Sequence, residues 1–152
     1  MQFPNAIYGL ACMIFLLGIV GLACELALLD HFRSFWQLVP HILLLCGITA
    51  FLMLYFDVSR VGTQLMNVAM LLMITGGLMG IGFHFSNNLE FERELRPHFS
   101  GLRLWWESLA GAVPTTAPGA MILLGATGKL IVLMKKEILK NDEANKTHIA
   151  DW

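Results

Sequence analysis

Charge is scarce in this chain. Only 14% of its 152 residues are charged, while 57% are hydrophobic. A soluble domain carries about 25% charged residues, so a simple water-soluble fold is excluded. The charge that is present nearly cancels, at net −1. Without a basic stripe, nucleic acid is excluded as a partner. Cysteine is limited to Cys12, Cys24 and Cys46, with no Cys-x-x-Cys pair, which removes dithiol and zinc-ribbon chemistry. Each sits in an apolar block and reads as a buried free thiol acting as a small hydrophobe. Residues 1–5 lack the basic start of a signal peptide. The apolar block after them is longer than a signal peptide's and has no Ala-x-Ala-like exit, so it reads as a retained helix. A nucleophile elbow, a Ser/His/Asp order and a phosphate loop are all missing. So are His-Glu-x-x-His and the Glu-x-x-His pair of metal-binding bundles.

What the chain does have is long apolar runs, and its mean hydropathy is +0.66. They predict an all-α membrane protein, a four-helix transmembrane bundle with helices over about residues 7–29, 40–56, 61–83 and 118–134. Each is near the ~20 residues that cross a hydrocarbon core. Asn5 suits an N-cap, and Pro40 suits a first turn, where a missing N–H costs nothing. Asp30 to Ser34 and Asp57 to Arg60 are polar turns. Lys129 is expected to snorkel to the headgroups. Residues 1–140 form one transmembrane domain, and the polar tail 141–152 is expected to fray.

Four crossings put both termini on one side. That side carries Arg60, Lys129, Lys135, Lys136, Lys140 and Lys146, against Arg33, Arg93, Arg96 and Arg103 on the other. The bias predicts an integral membrane protein with both termini cytoplasmic. The outer segment 84–117 is too long for a plain connector. Two short helices are expected there, over about residues 89–95 and 102–110. Glu90 with Arg93 and Glu92 with Arg96 are helix-neighbour pairs in the first. In the second, Leu102, Trp105, Trp106 and Leu109 share an apolar face suited to lying in the membrane interface.

Ionisable groups in or beside a span are functional candidates. Gly18, Gly21 and Glu25 share one face of the first helix, and glycines mark close helix approach, so Glu25 is expected to point into the bundle. Gly76, Gly80 and His84 repeat the pattern on the third helix, facing Met121, Gly125 and Gly128 on the fourth. His31, His41, His84 and His98 all fall at the outer end, where Glu25, Glu90, Glu92, Glu94 and Glu107 can join them. Imidazole and carboxylate ligate iron, copper, manganese or zinc, and two facing imidazoles can hold a haem. The expected metal set is Glu25, His41, His84 and one of Glu90, Glu92 or Glu94, with His31 and His98 as further ligands. Met66, Met70 and Met73 share a face that could carry Cu(I), but packing is the better reading.

Gly80, His84, Asn88, the Glu90-Phe91-Glu92 run, Pro97, Gly101, Gly111, Pro114, Ala117-Pro118-Gly119, Met121 and Gly125 form a pattern. It resembles a group of small uncharacterised bacterial four-helix integral membrane proteins. The resemblance covers residues 80–125 and implies a fold and a bacterial inner membrane, and not a mechanism.

Three functions are compatible with this sequence. The first is redox chemistry or metal handling at an outer transition-metal or haem site. The second is a non-catalytic accessory or assembly subunit of a larger membrane complex. The third is a small proton- or cation-coupled transporter using Glu25. Besides the lipid bilayer, the expected partners are further copies of the chain, since glycine faces permit homo-oligomers, or a larger complex.

Overall fold

A computed structural model describes residues 3–56, 60–111 and 113–150, and among them there are only helices and turns. The helices are α1 (Phe3–Leu28), α2 (Phe35–Phe56), α3 (Arg60–Leu95), α4 (Gly101–Leu109) and α5 (Gly119–Ala150). Three of them, α1 from Asn5 onward, α2 and α3, are long and apolar enough to cross a membrane, which suggests a membrane location. The apolar part of α5, from Gly119 to Met134, offers roughly 24 Å at 1.5 Å per residue. Lys129 interrupts it and Lys135 and Lys136 end it.

The long helices form a ring. The α3–α5 contact is the most extensive, α2–α3 and α1–α5 follow, and a slight α1–α2 contact closes the ring. The short α4 packs on α3. Phe15, Leu54, Met66, Met70, Met73 and Ile131 are the large fully buried apolar side chains of the core. The methionine face of α3 is therefore packing material, as the sequence suggested. At 36 residues, α3 is about 54 Å long and outruns a ~30 Å hydrocarbon core.

Local chemistry sets the ends. Asp30 closes α1 in the left-handed region, at φ 55°. The N–H of His31 then reaches the Leu26 carbonyl at 2.9 Å and that of Asp30 reaches Ala27 at 3.1 Å, the two bonds of a Schellman ending. Ser34 opens α2. The Gln37 side chain accepts from the backbone N–H of Ser34 at 3.2 Å and of Arg33 at 2.9 Å, the reaching-back half of a capping box.

Several boundaries differ from expectation. Asn5 lies within α1 and not at its cap. Pro40 sits inside α2 and not in its first turn. The helix expected over 89–95 is no separate element, because α3 runs unbroken to Leu95 and the first breaker it meets is Pro97. Ser86, Asn87 and Asn88 are polar, but none prevents a helix. The tail is helical to Ala150. Residues 57–59 of the expected inner turn lie outside the described residues.

Two glycines set the α3–α5 spacing. A Cβ at Gly125 would lie 2.8 Å from the Met70 carbonyl, and one at Gly77 would lie 2.8 Å from the Pro118 carbonyl. Each helix thus lays a glycine against the other's backbone. Gly80 faces Pro118, and Gly76 faces Leu43 of α2 together with Met121, one of its expected partners on α5.

Candidate functional site

The fold assembles a cap at the end of the bundle where α1 ends and α2 begins. Its hub is Asn88 on α3, which is 2% exposed. The Asn88 amide donates to the carbonyls of Ser108 at 3.0 Å and Val113 at 2.7 Å, and to the Thr115 hydroxyl at 3.1 Å. Its Oδ1 accepts from the Val113 N–H at 3.2 Å. Gly111 lies so close to Asn88 that a Cβ there would be 2.7 Å from Cγ. One turn away, His84 Nδ1 lies 3.0 Å from the Pro114 carbonyl. A carbonyl only accepts, so Nδ1 carries the proton.

A second staple holds α4. Arg96 pairs with Glu92 at 3.5 Å and Glu107 at 3.1 Å. Glu92 is 5% exposed, and its Oε2 has no hydrogen-bond partner, so Arg96 provides its compensation. Arg103 stacks on Phe99 at 3.9 Å, and Trp105 meets Phe85 at 4.7 Å. With Leu104 and Ser108 buried and α4 packed on α3, Leu102, Trp105, Trp106 and Leu109 are left exposed. That is the apolar face read from the sequence.

The predicted ligands have divided fates. His31, His41 and His84 gather at one end, in the α1–α2 turn, on α2 and on α3. His41 Nδ1 lies 3.2 Å from the Gln37 carbonyl and, like His84, must donate there. In the neutral ring each Nε2 is then left with its lone pair. His31 senses both neighbours: burial lowers its pKa from the ordinary value, and the imidazoles of His84 and His41 push the same way.

The other candidates do not join them. His98 is exposed beside Phe99. Glu90 and Glu94 are exposed along a shallow hollow with Ser86, Leu89 and Arg93, and Glu92 is committed to Arg96. Glu25 is exposed on α1, and a Cβ at Gly21 would meet nothing within 4 Å. The inward direction expected for Glu25 is corrected: only Gly18 of that face turns toward α5, against Leu124. Among the described residues, no three His, Cys, Asp or Glu side chains converge to hold a metal ion. Of the cysteines only Cys12 is buried, and Cys24 and Cys46 are exposed.

Sequence reasoning missed the roles of two lysines. The Lys129 Nζ donates to Asn67 Oδ1 at 2.7 Å, and Asn67 donates to the Thr63 carbonyl. Lys135 donates to the Leu54 and Tyr55 carbonyls. These are last-turn acceptors of α2 that lack helical partners.

The His31 shift carries a pH dependence. Its lowered pKa in the folded state means that the unfolded chain binds more protons there. Stability from this group is present above the ordinary histidine pKa of about 6.5 and is lost as the pH falls through the folded-state value. Thermal unfolding in detergent should show a lower Tm at pH 5 than at pH 7.5. His31→Gln should flatten that slope, and an unchanged slope would refute the assignment.

Comparison with protein families, with curated proteins and with solved structures finds no match.

Proposed function

We propose that this chain crosses the bilayer four times, with α5 as the fourth span, and serves as a non-catalytic subunit of a larger membrane assembly. One observation carries this reading. The polar residues of the cap hold it together, through Asn88, His84 and the Arg96 pair, and this fixed scaffold presents Leu102, Trp106 and Leu109 outward. Leu102 is 91% exposed and Trp106 70%. Tryptophan beside leucine on a short helix suits the membrane interface and a neighbouring subunit within it. The four-span reading is supported by the way α5 satisfies Lys129 on Asn67 and Lys135 on the end of α2. The lysine bias supports cytoplasmic termini, and the resemblance supports a bacterial inner membrane.

The test is blue-native electrophoresis of mild-detergent extracts, with mass spectrometry of the bands. The wild-type chain should migrate in a complex containing other proteins. Leu102→Ser/Trp106→Ser should release it without changing its thermal unfolding. A wild-type chain free of other proteins would overturn the reading.

A second reading rests on the imidazoles. His31, His41 and His84 share one end, and His41 and His84 have Nδ1 fixed by backbone carbonyls. This is the second-shell arrangement that orients an imidazole toward a metal ion through Nε2. Here the chain would handle a divalent transition metal at its outer face. Stoichiometric zinc or copper lost in His84→Ala supports this reading, and metal-free wild-type protein after incubation with either ion sinks it.

A further inference from the structure

Lys129 is the cation set within the apolar part of α5. Its Nζ donates to Asn67 Oδ1 at 2.7 Å. The Asn67 amide is held in that direction because its nitrogen donates to the Thr63 carbonyl at 2.9 Å. Asn67 is neutral, so this bond orients the ammonium without balancing its charge. An ammonium has three N–H donors, and Asn67 takes one of them. Lys129 is in no ion pair among the described residues. A charged group at membrane depth ordinarily finds an opposite charge or marks the place of a ligand.

The packing of α3 on α5 brings two further cations to the same strip. The helices run antiparallel: Gly125 lies against Met70, and Gly77 against Pro118 and Ile122. Each step forward along one is therefore a step back along the other. Two turns of helix take about seven residues and return to the same face. From Lys129 that step reaches Lys136, and from Asn67 it reaches Arg60. Lys136 and Arg60 are thus level with each other across the seam, at the end where α2 ends and α3 begins. Both are exposed, and neither is in an ion pair among the described residues. Lys129, Asn67 and Thr63 are partly exposed, so the strip is reached from outside the bundle. Carboxylates are absent from it. The first one along α3 is Glu90, at the opposite end. On α5, Glu137 follows Lys136 and points about 100° away from it.

We propose that this strip binds the phosphate of an anionic glycerophospholipid. Lys129 and Asn67 form its deep end, and Lys136 and Arg60 its mouth at headgroup level. The free oxygens of a phosphodiester accept charge-assisted hydrogen bonds from ammonium and guanidinium groups. Charge complementarity selects an anion, and the depth of Lys129 selects one carried by the membrane itself. Leu133, in the turn between Lys129 and Lys136, is 63% exposed and offers an apolar surface to the lipid chains. Basic pockets between transmembrane helices hold anionic headgroups by the same chemistry. The inference rests on the reading of α5 as the fourth span, and on neither reading of the cap.

Native mass spectrometry provides the test. The full-length chain, purified in a neutral detergent, is offered phosphatidylglycerol or phosphatidylcholine. Wild-type protein should keep a phosphatidylglycerol under conditions that strip phosphatidylcholine. Lys136→Gln and Arg60→Gln, both at exposed positions, should each weaken that retention about fivefold, the worth of one cation near an anionic surface. Lys129→Gln should weaken it as well, while Lys129→Arg should keep it, which separates a lost charge from a misfolded chain. Arg93→Gln removes the same charge from the other end of α3 and should change nothing. Inorganic phosphate should not displace the lipid. The proposal is overturned if the two lipids are held alike, if Arg93→Gln costs as much as Arg60→Gln, or if inorganic phosphate competes, which would make the strip a site for a soluble anion. Tags at the two termini, probed in sealed vesicles, test the four-span reading separately. Tags on opposite sides overturn that reading and this proposal together, whereas tags on one side without a lipid preference overturn this proposal alone.

Discussion

Asn88→Leu should free the cap from the bundle. The amide of Asn88 is the meeting point of α3, α4 and the segment leading into α5. Leucine matches its bulk but supplies neither donor nor acceptor. The Ser108 carbonyl loses one donor, while its residue is 0% exposed. The Val113 N–H loses its only described acceptor, although Val113 is 40% exposed and water restores part of that loss. Each buried polar group left unsatisfied costs about 1–3 kcal/mol, so a total near 3 kcal/mol is expected. Repacking against Gly111 adds to it, because leucine branches where the planar amide lay flat. The effect should be local as well as large. Hydrogen exchange across residues 101–117 should accelerate by orders of magnitude, while α1 and α2 keep their protection. Unchanged exchange in that segment would show that the amide does not hold the cap.

The second large effect is expected at Gly125. Even alanine there sets a methyl group 2.8 Å from the Met70 carbonyl and 2.6 Å from a side-chain carbon of Ile74. The carbonyl belongs to a helix backbone and cannot rotate away, so α3 and α5 must move apart. Overpacking of this kind costs about 1–3 kcal/mol, and here it falls on the most extensive contact in the molecule. Gly21→Ala is the control. Its added methyl meets nothing in the subunit, and alanine favours a helix over glycine by roughly 0.5–1 kcal/mol. Thermal unfolding in detergent should show a clear fall in Tm for Gly125→Ala and no loss for Gly21→Ala. Equal behaviour of the two would mean that the α3–α5 separation is not set by glycine.

These two glycines also mark how far the sequence could be read. Three spans and the amphipathic α4 were legible, because length, hydropathy and the spacing of Leu102, Trp106 and Leu109 are properties of the chain alone. The direction of a helix face was not. In a soluble protein the apolar side is the inner side; in a membrane helix both sides are apolar. The spacing of Gly18, Gly21 and Glu25 therefore located a face without saying whether it met α5 or lipid. The reach of α3 was obscured for a different reason. Ser86, Asn87 and Asn88 resemble loop residues by polarity, yet Asn88 is polar because it serves a segment more than twenty residues away. The start of α2 had a signal in Ser34-x-x-Gln37, overshadowed by Pro40. At the candidate site, the gathering of His31, His41 and His84 at one end followed from counting crossings. Their hydrogen bonds to Pro114 and Gln37 did not, since backbone carbonyls carry no residue-specific mark. The directions of Glu25 and of Glu90, Glu92 and Glu94, one of which was expected to join it, were not legible, because residue type and end of the bundle say nothing about which side of a helix a carboxylate takes.

The ring order of the helices has a consequence for how the molecule is made. Synthesis proceeds from the N-terminus, and the last long helix, α5, is the one that sits between α1 and α3. Until it arrives, α1 has only its slight contact with α2, and the glycine notches at Gly18 and Gly77 stand open. The inner walls of the bundle are thus completed by the final insertion, whose lysines then find Asn67 and the end of α2. A chain stopped before residue 119 has α1 to α4 but not the helix that closes the ring, and so leaves the inner faces of α1 and α3 open together.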